Sequence, residues 1–448
     1  MNHSLAGVAL GLMMQPLLAF ADSPPATHQF TLDNGLKVIV HEDHRAAVVN
    51  SQLWYHVGAS YEPPGQSGLS HALEHMLFHG SSKLCAGESE QIYRGLGAID
   101  NAATLFDATI FYQTLPPQAL GVALEVMADQ MNTAHLTDTH WVAEREVIKN
   151  ERSETVDNTP NQRALEISRR IAFPASASGS SLIGWMHDLE RMHVTELQQW
   201  YRNWYTPNNA TLVVTGAIGV EQVRTLAQRY FGPIARRELP VVKIPLELPT
   251  PGERSVTQRI NHQIPMLNMA FNVPSLSTQT DPRTAPALKL LSELLGGGNS
   301  SVLKSKLVRG SELLIGATTH YDGIKRGDEL FIIAGMLNVK KTTSLSQMKD
   351  RIVAEIESLK KTPPSIEDLD RARTRIIAQH IFSRDDLETL AFHLGKLDIA
   401  GLPLEQDEQW VALLKTITPE DIQHTAQTFL NRDRLTTGYL VAKETRHD

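Results

Sequence analysis

The sequence predicts an α+β protein built from two homologous domains, each a mainly antiparallel sheet packed with helices. Runs typical of strands alternate with long amphipathic helices along the chain. A proline-rich segment over residues 239–256 has the composition of an extended linker and separates residues 22–238 from residues 257–448. Both parts end in the same order, with a capped amphipathic helix, a polar turn and a β-rich strand, which indicates a duplicated domain.

The similar ends can be aligned by residue. "VTELQQWYRNWYTPNNATLVVTG" closes the first part and "TPEDIQHTAQTFLNRDRLTTGYLV" closes the second. In this alignment Leu197 matches Ile422, and Trp204 matches Phe429. The matched positions keep the apolar spacing of one helix face, as expected if the two helices pack in the same way.

The elements of the first part are predicted in chain order. Two alternating runs flank Asp33-Asn34-Gly35 and predict a β-hairpin, and residues 48–62 predict a further strand. A helix follows the break "EPPGQSG", and Ser67 or Ser70 is expected to cap it. The later elements are strands within residues 101–115 and helices over residues 117–131 and 141–155.

Composition limits the classes of function. The 448 residues include 42% hydrophobic and 21% charged residues, which is typical of a globular protein with sizeable cores. The formal net charge of −8 gives no reason to expect binding to nucleic acid or anionic lipid, since such proteins usually carry a basic face. The single cysteine, Cys85, allows no internal disulfide and is expected to be a small buried hydrophobe.

Residues 1–21 predict a signal peptide. The stretch "SLAGVALGLMMQPLLAF" is apolar but interrupted, so it is too short to span a bilayer, and it leads into a small-x-small cleavage pattern at residues 19–21. The expected location is therefore outside the cytoplasm, most simply a bacterial periplasm. A retained hydrophobic N-terminal helix is the alternative.

The stretch "GLSHALEHMLFHGS", residues 68–81, combines an apolar helix pattern with chemistry. Residues i and i+4 share a helix face, so His71 and His75 can direct their imidazoles at one point, and Glu74 lies close to that face. Two histidines so spaced form half of a zinc site. The carboxylate between them can take a proton from a zinc-activated water, as in a metallopeptidase of the H-x-x-E-H type.

A catalytic zinc site usually needs a third protein ligand from another element. The helix "WVAEREVIKNERSE" offers Glu144 and Glu151, which are seven residues apart and therefore lie on one face. Residue pattern alone leaves open the alternative that this helix is a solvated charged surface.

Three stretches together resemble the pitrilysin/insulinase family of zinc metallopeptidases. They are "HALEHMLFHGS", "GAIDNAATLFDATIFY" and "EREVIKNERSE", and the resemblance extends over nearly the whole mature chain. Within that family, the sequence is most similar to the bacterial branch related to mitochondrial processing peptidase. The resemblance implies a clamshell fold of four homologous domains. A chain of this length would supply two of the four, which is one half of the clamshell.

The resemblance implies a role for each motif residue. It makes residues 22–238 the zinc-binding peptidase domain and residues 257–448 a homologous domain without a metal site. The implied zinc ligands are His71, His75 and Glu151, with one Zn²⁺ per chain; Glu74 is the catalytic base, and Glu144 bonds a liganding histidine. Asn101 and Ala102 match the edge strand that pairs with the backbone of an extended peptide substrate.

The sequence departs from the family pattern at four positions. His79 stands where a Lys is common, and Ala98 replaces one glycine of a usual pair. In the second part, an Arg and a Tyr that would bind substrate near the scissile bond are replaced by Val308 and Ile315, with Arg309 one residue out of register.

These departures predict the zinc-bearing subunit of a two-component endopeptidase. Its partner would be a homologous subunit with the Arg/Tyr pair, and its substrates would be peptides or unfolded segments enclosed by the two halves. A homodimer is the alternative assembly. A non-catalytic assembly subunit and a zinc hydrolase acting on a non-peptide substrate are the alternative functions.

Overall fold

The computed structural model describes residues 26–260, 264–342 and 344–442. The predicted signal peptide, residues 1–21, lies outside the described residues. Within them, no helix has both the length and the apolar content needed to cross a membrane.

The first domain is organised around a six-stranded sheet. Its strands are β1 Ala26–Thr31, β2 Lys37–Glu42, β3 Val49–Tyr55, β4 Ile99–Thr104, β5 Thr109–Leu115 and β6 Ala210–Gly216. They lie in the order β1-β2-β6-β3-β5-β4, and every neighbouring pair is antiparallel except β2 and β6. The hairpin predicted around Asp33-Asn34-Gly35 is confirmed as β1 and β2.

The second domain has a five-stranded sheet. Its strands are β7 Arg254–Ile260, β8 Met266–Val273, β9 Leu314–His320, β10 Glu329–Leu337 and β11 Leu435–Ala442, in the order β7-β11-β8-β10-β9. Only β7 and β11 run parallel. Strands β2 to β6 of the first sheet and β7 to β11 of the second therefore follow the same path, so the predicted pair of homologous, mainly antiparallel domains is confirmed.

The helices repeat in the same way. In the first domain they are α1 Leu69–Met76, α2 Glu88–Gly95, α3 Leu120–Thr133, α4 Asp138–Arg152, α5 Pro160–Ala172, α6 Met186–Arg191, α7 Val194–Trp204 and α8 Val220–Tyr230. In the second they are α9 Thr284–Ser292, α10 Leu345–Lys361, α11 Ile366–Ser383, α12 Leu387–Ile399, α13 Gln406–Thr416 and α14 Pro419–Phe429. Helices α3 to α7 lie between β5 and β6 in the chain, and α10 to α14 lie between β10 and β11. Each of these five helices of the first domain therefore has a counterpart in the second.

Helices α5 and α12 are exchanged between the domains. Helix α12 lies on the first sheet, where Leu390 and Leu394 pack with Trp54. A Cβ on Gly395 would lie 2.1 Å from the Trp54 ring, so this position must be glycine for the helix to come so close. Helix α5 lies on the second sheet, where Ala164 packs with Leu440. Each domain therefore supplies a helix that packs on the sheet of the other domain.

The connection between the domains contains exposed apolar residues but is anchored. Between α8 and β7, residues 235–253 form no regular helix or strand. The buried Glu247 carboxylate accepts backbone N–H bonds from Ala175 and Ser176. The predicted domain boundaries at residues 238 and 257 stay predictions. Cys85 is exposed, so the expectation of a buried thiol was wrong; it lies in a loop rather than in a packed helix.

Candidate metal centre and peptide-binding edge

Helix α1 directs its histidines toward α4 because its opposite, apolar face is buried in the core. Leu73 and Met76 are completely buried in the core of the first domain. This packing fixes the rotation of the helix, so that His71 and His75, one turn apart, both face α4. The helix is therefore held by its core side chains and presents its polar ones to the site.

The start of α1 is not capped as predicted. The N-cap residue is Gly68 at φ 90°, and the buried Glu62 carboxylate accepts the backbone N–H bonds of Gly68 and Ser70, each at 2.7 Å. Ser67 instead donates its hydroxyl to Asp188. The serine prediction was wrong because a carboxylate six residues before Gly68 satisfies the free amides of the first turn.

The Glu151 carboxylate meets both histidines. His71 Nε2 lies 3.5 Å from one Glu151 oxygen, and His75 Nε2 lies 3.2 Å from the other. The three ligand atoms lie within 4.8 Å of one another, and they form the group able to hold a metal ion among the described residues. Residues 76 positions apart in the chain, His75 and Glu151, thus converge because α1 packs on α4.

The donor set fits zinc. The Nδ1 atom of His75 bonds Glu144 at 2.7 Å, so Nε2 is the nitrogen left to face Glu151. The Nδ1 atom of His71 is buried without a hydrogen-bond partner in the described part of the chain. Two imidazole nitrogens and one carboxylate oxygen are the donors of a catalytic zinc site that keeps a position open.

Ionisation in this cluster depends on hydrogen bonds. Hydrogen bonds from the side chains of His71 and His75, of which the first has the larger effect, hold the pKa of the Glu151 carboxyl well below its usual range. Burial lowers the pKa of His75, but hydrogen bonds to Glu144 and Glu151 outweigh it and raise the pKa to about 9. The two carboxylates therefore favour the protonated form of His75.

Glu144 joins two histidines rather than one. Its Oε1 bonds His75 Nδ1, and its Oε2 bonds His79 Nε2, both at 2.7 Å. The bond to His75 is the main reason that the Glu144 pKa is lowered, with His79 contributing. His79 also stacks on the ring of His140. The contact of His79 was not predicted, although its spacing of four from His75 on one helical path was the available signal.

Glu74 is buried beside the metal donors. Its side chain is 8% exposed, and its Oε2 accepts a hydrogen bond from the Thr104 hydroxyl at 2.6 Å. Burial raises the pKa of the Glu74 carboxyl, while the charge of His71 and the Thr104 bond oppose that rise. Sequence reasoning missed Thr104, because its contact depends on how the β4 end meets α1.

Asn101 and Ala102 lie on β4, an edge strand of the first sheet. The Ala102 N–H donates to the Asn101 side chain at 2.9 Å rather than to β5, so it lies on the free side of the strand. Ile99 of the same strand is 76% exposed. A free edge with an available amide is the surface on which an added peptide strand can pair.

The second domain holds Val308 and Ile315 near its own sheet edge. Val308 lies in a π-helical segment, Lys304–Gly310, and the half-exposed Ile315 lies on the edge strand β9. The two line one cleft. Arg309 does not replace the missing cation, since its guanidinium donates to the Asn299 carbonyl and the Ser305 hydroxyl, both nearby in the chain.

The equivalent of the metal cluster in the second domain is an ion pair. Helices α9 and α11 correspond to α1 and α4, and there Glu293, in the turn that extends α9, bonds the Arg375 guanidinium of α11. An ion pair thus lies between the two helices that correspond to those of the candidate metal centre.

Two family profiles match the chain. Residues 37–184 match the profile described as Insulinase (Peptidase family M16), and residues 191–376 match the one described as Peptidase M16 inactive domain. The chain belongs to peptidase family M16.

Individual members of family M16 cover most of the chain. The zinc protease PqqE of Helicobacter pylori is 29% identical over 389 residues, 84% of this chain and 85% of that protein. A probable mitochondrial-processing peptidase subunit beta of Arabidopsis thaliana is 23% identical over 378 residues, 84% of this chain and 70% of that protein. These names support a metalloprotease-type hydrolase, with zinc as the metal that M16 membership implies.

Solved M16 structures share the fold. The crystal structure of a protease from Helicobacter pylori aligns with a TM-score of 0.86 at 24% identity, covering 93% of this chain and 99% of that one. The periplasmic protease PqqL of Escherichia coli aligns with a TM-score of 0.79 at 19% identity, covering 93% of this chain but 48% of that one. The two domains therefore correspond to one half of an M16 clamshell.

Proposed function

We propose that this chain is a zinc-dependent endopeptidase that cleaves peptides or unfolded segments, and that it is the zinc-bearing subunit of a two-component enzyme. The proposal rests on one observation. The Nε2 atoms of His71 and His75 meet the Glu151 carboxylate, and the buried Glu74 carboxylate is close enough to interact with the charges of all three. These residues have the composition and spacing of a site for metal-assisted hydrolysis.

Each residue has a distinct task. His71, His75 and Glu151 would hold Zn²⁺, which when bound polarises a carbonyl and makes water more acidic. Glu74 takes the proton of the attacking water and passes it to the leaving amine. Its burial favours this task, because a raised pKa brings the carboxylate closer to the proton affinity that the transfer requires. Thr104 holds Glu74 by its hydroxyl.

Peptides would bind as an added strand on β4. The free amide of Ala102 can donate to the substrate backbone once the Asn101 side chain gives it up. Backbone pairing reads an extended chain with little regard to side chains, so it suits unfolded segments. This argument also favours a peptide over another substrate of a zinc hydrolase.

The two-component assembly rests on the second domain. Val308 and Ile315 offer no hydrogen-bond donors where the family resemblance implies an Arg and a Tyr. A homologous subunit with that pair would supply both the donors and the other half of the clamshell. The relative from Arabidopsis is itself named as a subunit, and PqqL holds about twice the length of chain in one protein. A homodimer is the alternative assembly.

A non-catalytic assembly subunit is the second candidate function. The matched profile named for an inactive domain favours it, but that match covers residues 191–376 and not the α1 motif. A cluster of intact donors beside Glu74 favours catalysis. We further propose an exported, periplasmic location, which the predicted signal peptide and the periplasmic neighbour PqqL support.

Replacement of Glu74 tests the catalytic role. Glu74→Gln keeps the shape of the side chain but removes the base, so the variant should bind zinc and lose peptide hydrolysis. Zinc content and turnover are measured on the same preparation. Glu146→Gln, an exposed change on α4, is the matched control and should leave both unchanged. Turnover near the unmodified level in Glu74→Gln would remove Glu74 from the mechanism.

Mixing experiments test the assembly. The chain alone should bind zinc and cleave peptides weakly, since each missing donor is worth roughly 3 kcal/mol in comparable sites. A homologous subunit with the Arg/Tyr pair should restore activity and elute with it as a 1:1 complex. Full activity of a homodimer, unchanged by that subunit, would reject the two-component assembly.

A further inference from the structure

Arg152 directly follows the candidate metal donor Glu151 in α4, but it has no part in the mechanism proposed above. It is 4% exposed, so its guanidinium lies in the interior of the protein. The two carboxylate oxygens of Glu166 on α5 accept hydrogen bonds from it at 3.0 and 3.1 Å, a paired arrangement that fixes orientation as well as distance. Asp157, at the end of the π-helical turn that follows α4, accepts another at 3.3 Å. Arg152 therefore fixes the end of α4 against α5.

The same guanidinium also holds the segment between α5 and α6. Its Nη1 atom donates to the Gly184 carbonyl at 2.6 Å and to the Ser181 hydroxyl at 3.1 Å. The Ser181 hydroxyl in turn donates to Glu166 at 2.5 Å and accepts the Gly184 N–H at 3.1 Å. These bonds form one network, and the network sets the position of the Gly184 backbone.

Gly184 lies against the start of α1. A Cβ on Gly184 would lie 2.6 Å from the Ser67 carbonyl oxygen. A Cβ on Gly68, the N-cap of α1, would lie 2.5 Å from the Ile183 carbonyl oxygen. Both positions also have a positive φ, 101° and 90°, which favours glycine. Because the Trp185 N–H donates to the Ser67 hydroxyl at 2.8 Å, the contact is held by a hydrogen bond as well as by close packing.

One side chain thus connects the two helices that supply the candidate metal donors. Arg152 shares α4 with Glu151. Its bond to Gly184 leads to the start of α1, which carries His71 and His75. The three donor atoms lie within 4.8 Å of one another. A functional site needs its groups held within roughly 0.5 Å of the productive geometry, so a shift of the α4 end relative to α1 should weaken metal binding.

We propose that Arg152 is a positioning residue of the metal centre, which sets the position of α4 relative to α1 and thereby the affinity of the site for zinc. The proposal rests on the metal centre of the function proposed above. Glu144 bonds His75 directly, whereas Arg152 acts through the backbone of both helices. The bland alternative is an arginine that only stabilises the fold, and the test has to separate the two.

The first measurement is zinc affinity, determined on the full chain in competition with a chromophoric chelator. Arg152→Gln removes the charge and most of the hydrogen bonds, and it should weaken zinc binding by about 10-fold, as is common for residues that support metal ligands. Ser181→Ala removes one hydroxyl of the network with little change in volume, so it should fold and weaken zinc binding in the same direction, by less. Unchanged affinity in Ser181→Ala, together with unchanged affinity or failure to fold in Arg152→Gln, would overturn the proposal.

The second measurement uses Co²⁺ in place of zinc. The visible absorption bands of bound Co²⁺ depend on the arrangement of its ligands. At saturating Co²⁺, the bands of the two variants should therefore differ from those of the unmodified chain. A change in stability alone would leave the bands in place, so identical spectra would also overturn the proposal.

Arg373 provides a matched control in the second domain. This largely buried arginine of α11 donates to the Leu414 and Ile417 carbonyls at 2.9 and 2.8 Å, and so ties two helices together as Arg152 does. Arg373→Gln should lower the free energy of unfolding but keep the zinc affinity and the Co²⁺ bands. An equal loss of zinc affinity in Arg373→Gln and Arg152→Gln would assign the effect to general destabilisation and reject the positioning role.

The two proposals fail in different ways. Zinc affinity that is unchanged by Arg152→Gln and Ser181→Ala, with peptide hydrolysis by the unmodified chain, rejects the positioning role and leaves the peptidase standing. Lowered zinc affinity in both variants, with no peptide hydrolysis by the unmodified chain alone or with a partner subunit, supports the positioning role and rejects the peptidase. Absence of zinc binding by the unmodified chain rejects both.

Discussion

The Glu144 carboxylate lies 2.7 Å from Nδ1 of His75 and fixes the orientation of that ring. Because a carboxylate only accepts hydrogen bonds when ionised, Nδ1 must carry the proton, and Nε2 is left to face Glu151. The same carboxylate bonds His79 with its second oxygen. Glu144 therefore contacts the candidate metal centre through a histidine, whereas Glu151 belongs to the candidate donor group itself.

This difference predicts distinct outcomes for two matched substitutions. Glu151→Gln should lower zinc occupancy strongly, because it removes a charged ligand. Glu144→Gln should keep most of the zinc at saturating metal but lower activity by about 10- to 100-fold, as is common for residues that orient a ligand. Metal analysis and turnover on one preparation decide it. If Glu144→Gln loses more zinc than Glu151→Gln, the two assignments are exchanged.

Removal of the Thr104 hydroxyl should change the pH profile. Its hydrogen bond lowers the pKa of Glu74, so Thr104→Val should raise that pKa. A base works only when ionised, and the acidic limb of kcat/KM should therefore move to higher pH. Thr104→Ser keeps the hydroxyl and serves as control. An acidic limb that stays in place in Thr104→Val would show that this bond does not influence the base.

A proline at the edge of β4 should weaken substrate binding. Ala102→Pro removes the amide on the free side of the strand, where proline is tolerated in a sheet. KM for peptides should rise, with zinc content unchanged. Asn101→Ala frees the same amide and should not raise KM. Equal KM values for Ala102→Pro and the unmodified chain would exclude pairing at this amide.

Asp398 predicts a pH-dependent link between the domains. From α12 it bonds Lys37 and Thr211 of the first sheet and pairs with His56. Burial raises its pKa, but the hydrogen bond to His56 and the other partners outweigh it, so the folded value lies below the ordinary value of 3.8. The stabilisation is then present above about pH 4 and is lost as pH falls through the folded pKa.

Asp398→Asn should accordingly lower the free energy of unfolding by roughly 1–3 kcal/mol at neutral pH and flatten its decline below about pH 4. Urea unfolding across that range measures both. Asp385→Asn, which alters an exposed ion pair with Arg45, is the control and should change little. An identical acid decline in the Asp398→Asn variant would mean that this carboxyl does not control it.

Local sequence patterns predicted much of the fold. The hairpin at Asp33-Asn34-Gly35 and the similar domain ends were readable because turn chemistry and apolar spacing act over a few residues. The clustering of His71, His75 and Glu151 was implied by family resemblance, and α1 packing on α4 places them together. The sequence predicted that the two domains share a topology, but it did not predict the order of the strands, because that order depends on contacts between residues far apart in the chain.

Other features depend on tertiary contacts that no local pattern contains. Glu62 replaces the predicted serine cap because the preceding loop folds back onto the first turn of α1. Thr104 reaches Glu74 only when β4 ends beside the helix. The exchange of α5 and α12 was not predicted, because the faces of these helices show that they are buried but not on which sheet.

That exchange also bears on whether one domain could fold without the other. An isolated domain with this topology would keep its own crossing helix away from its own sheet, and the sheet would stay uncovered on one face. Each domain therefore depends on the other for the helix that buries its apolar sheet face, so the two should unfold together rather than one after the other.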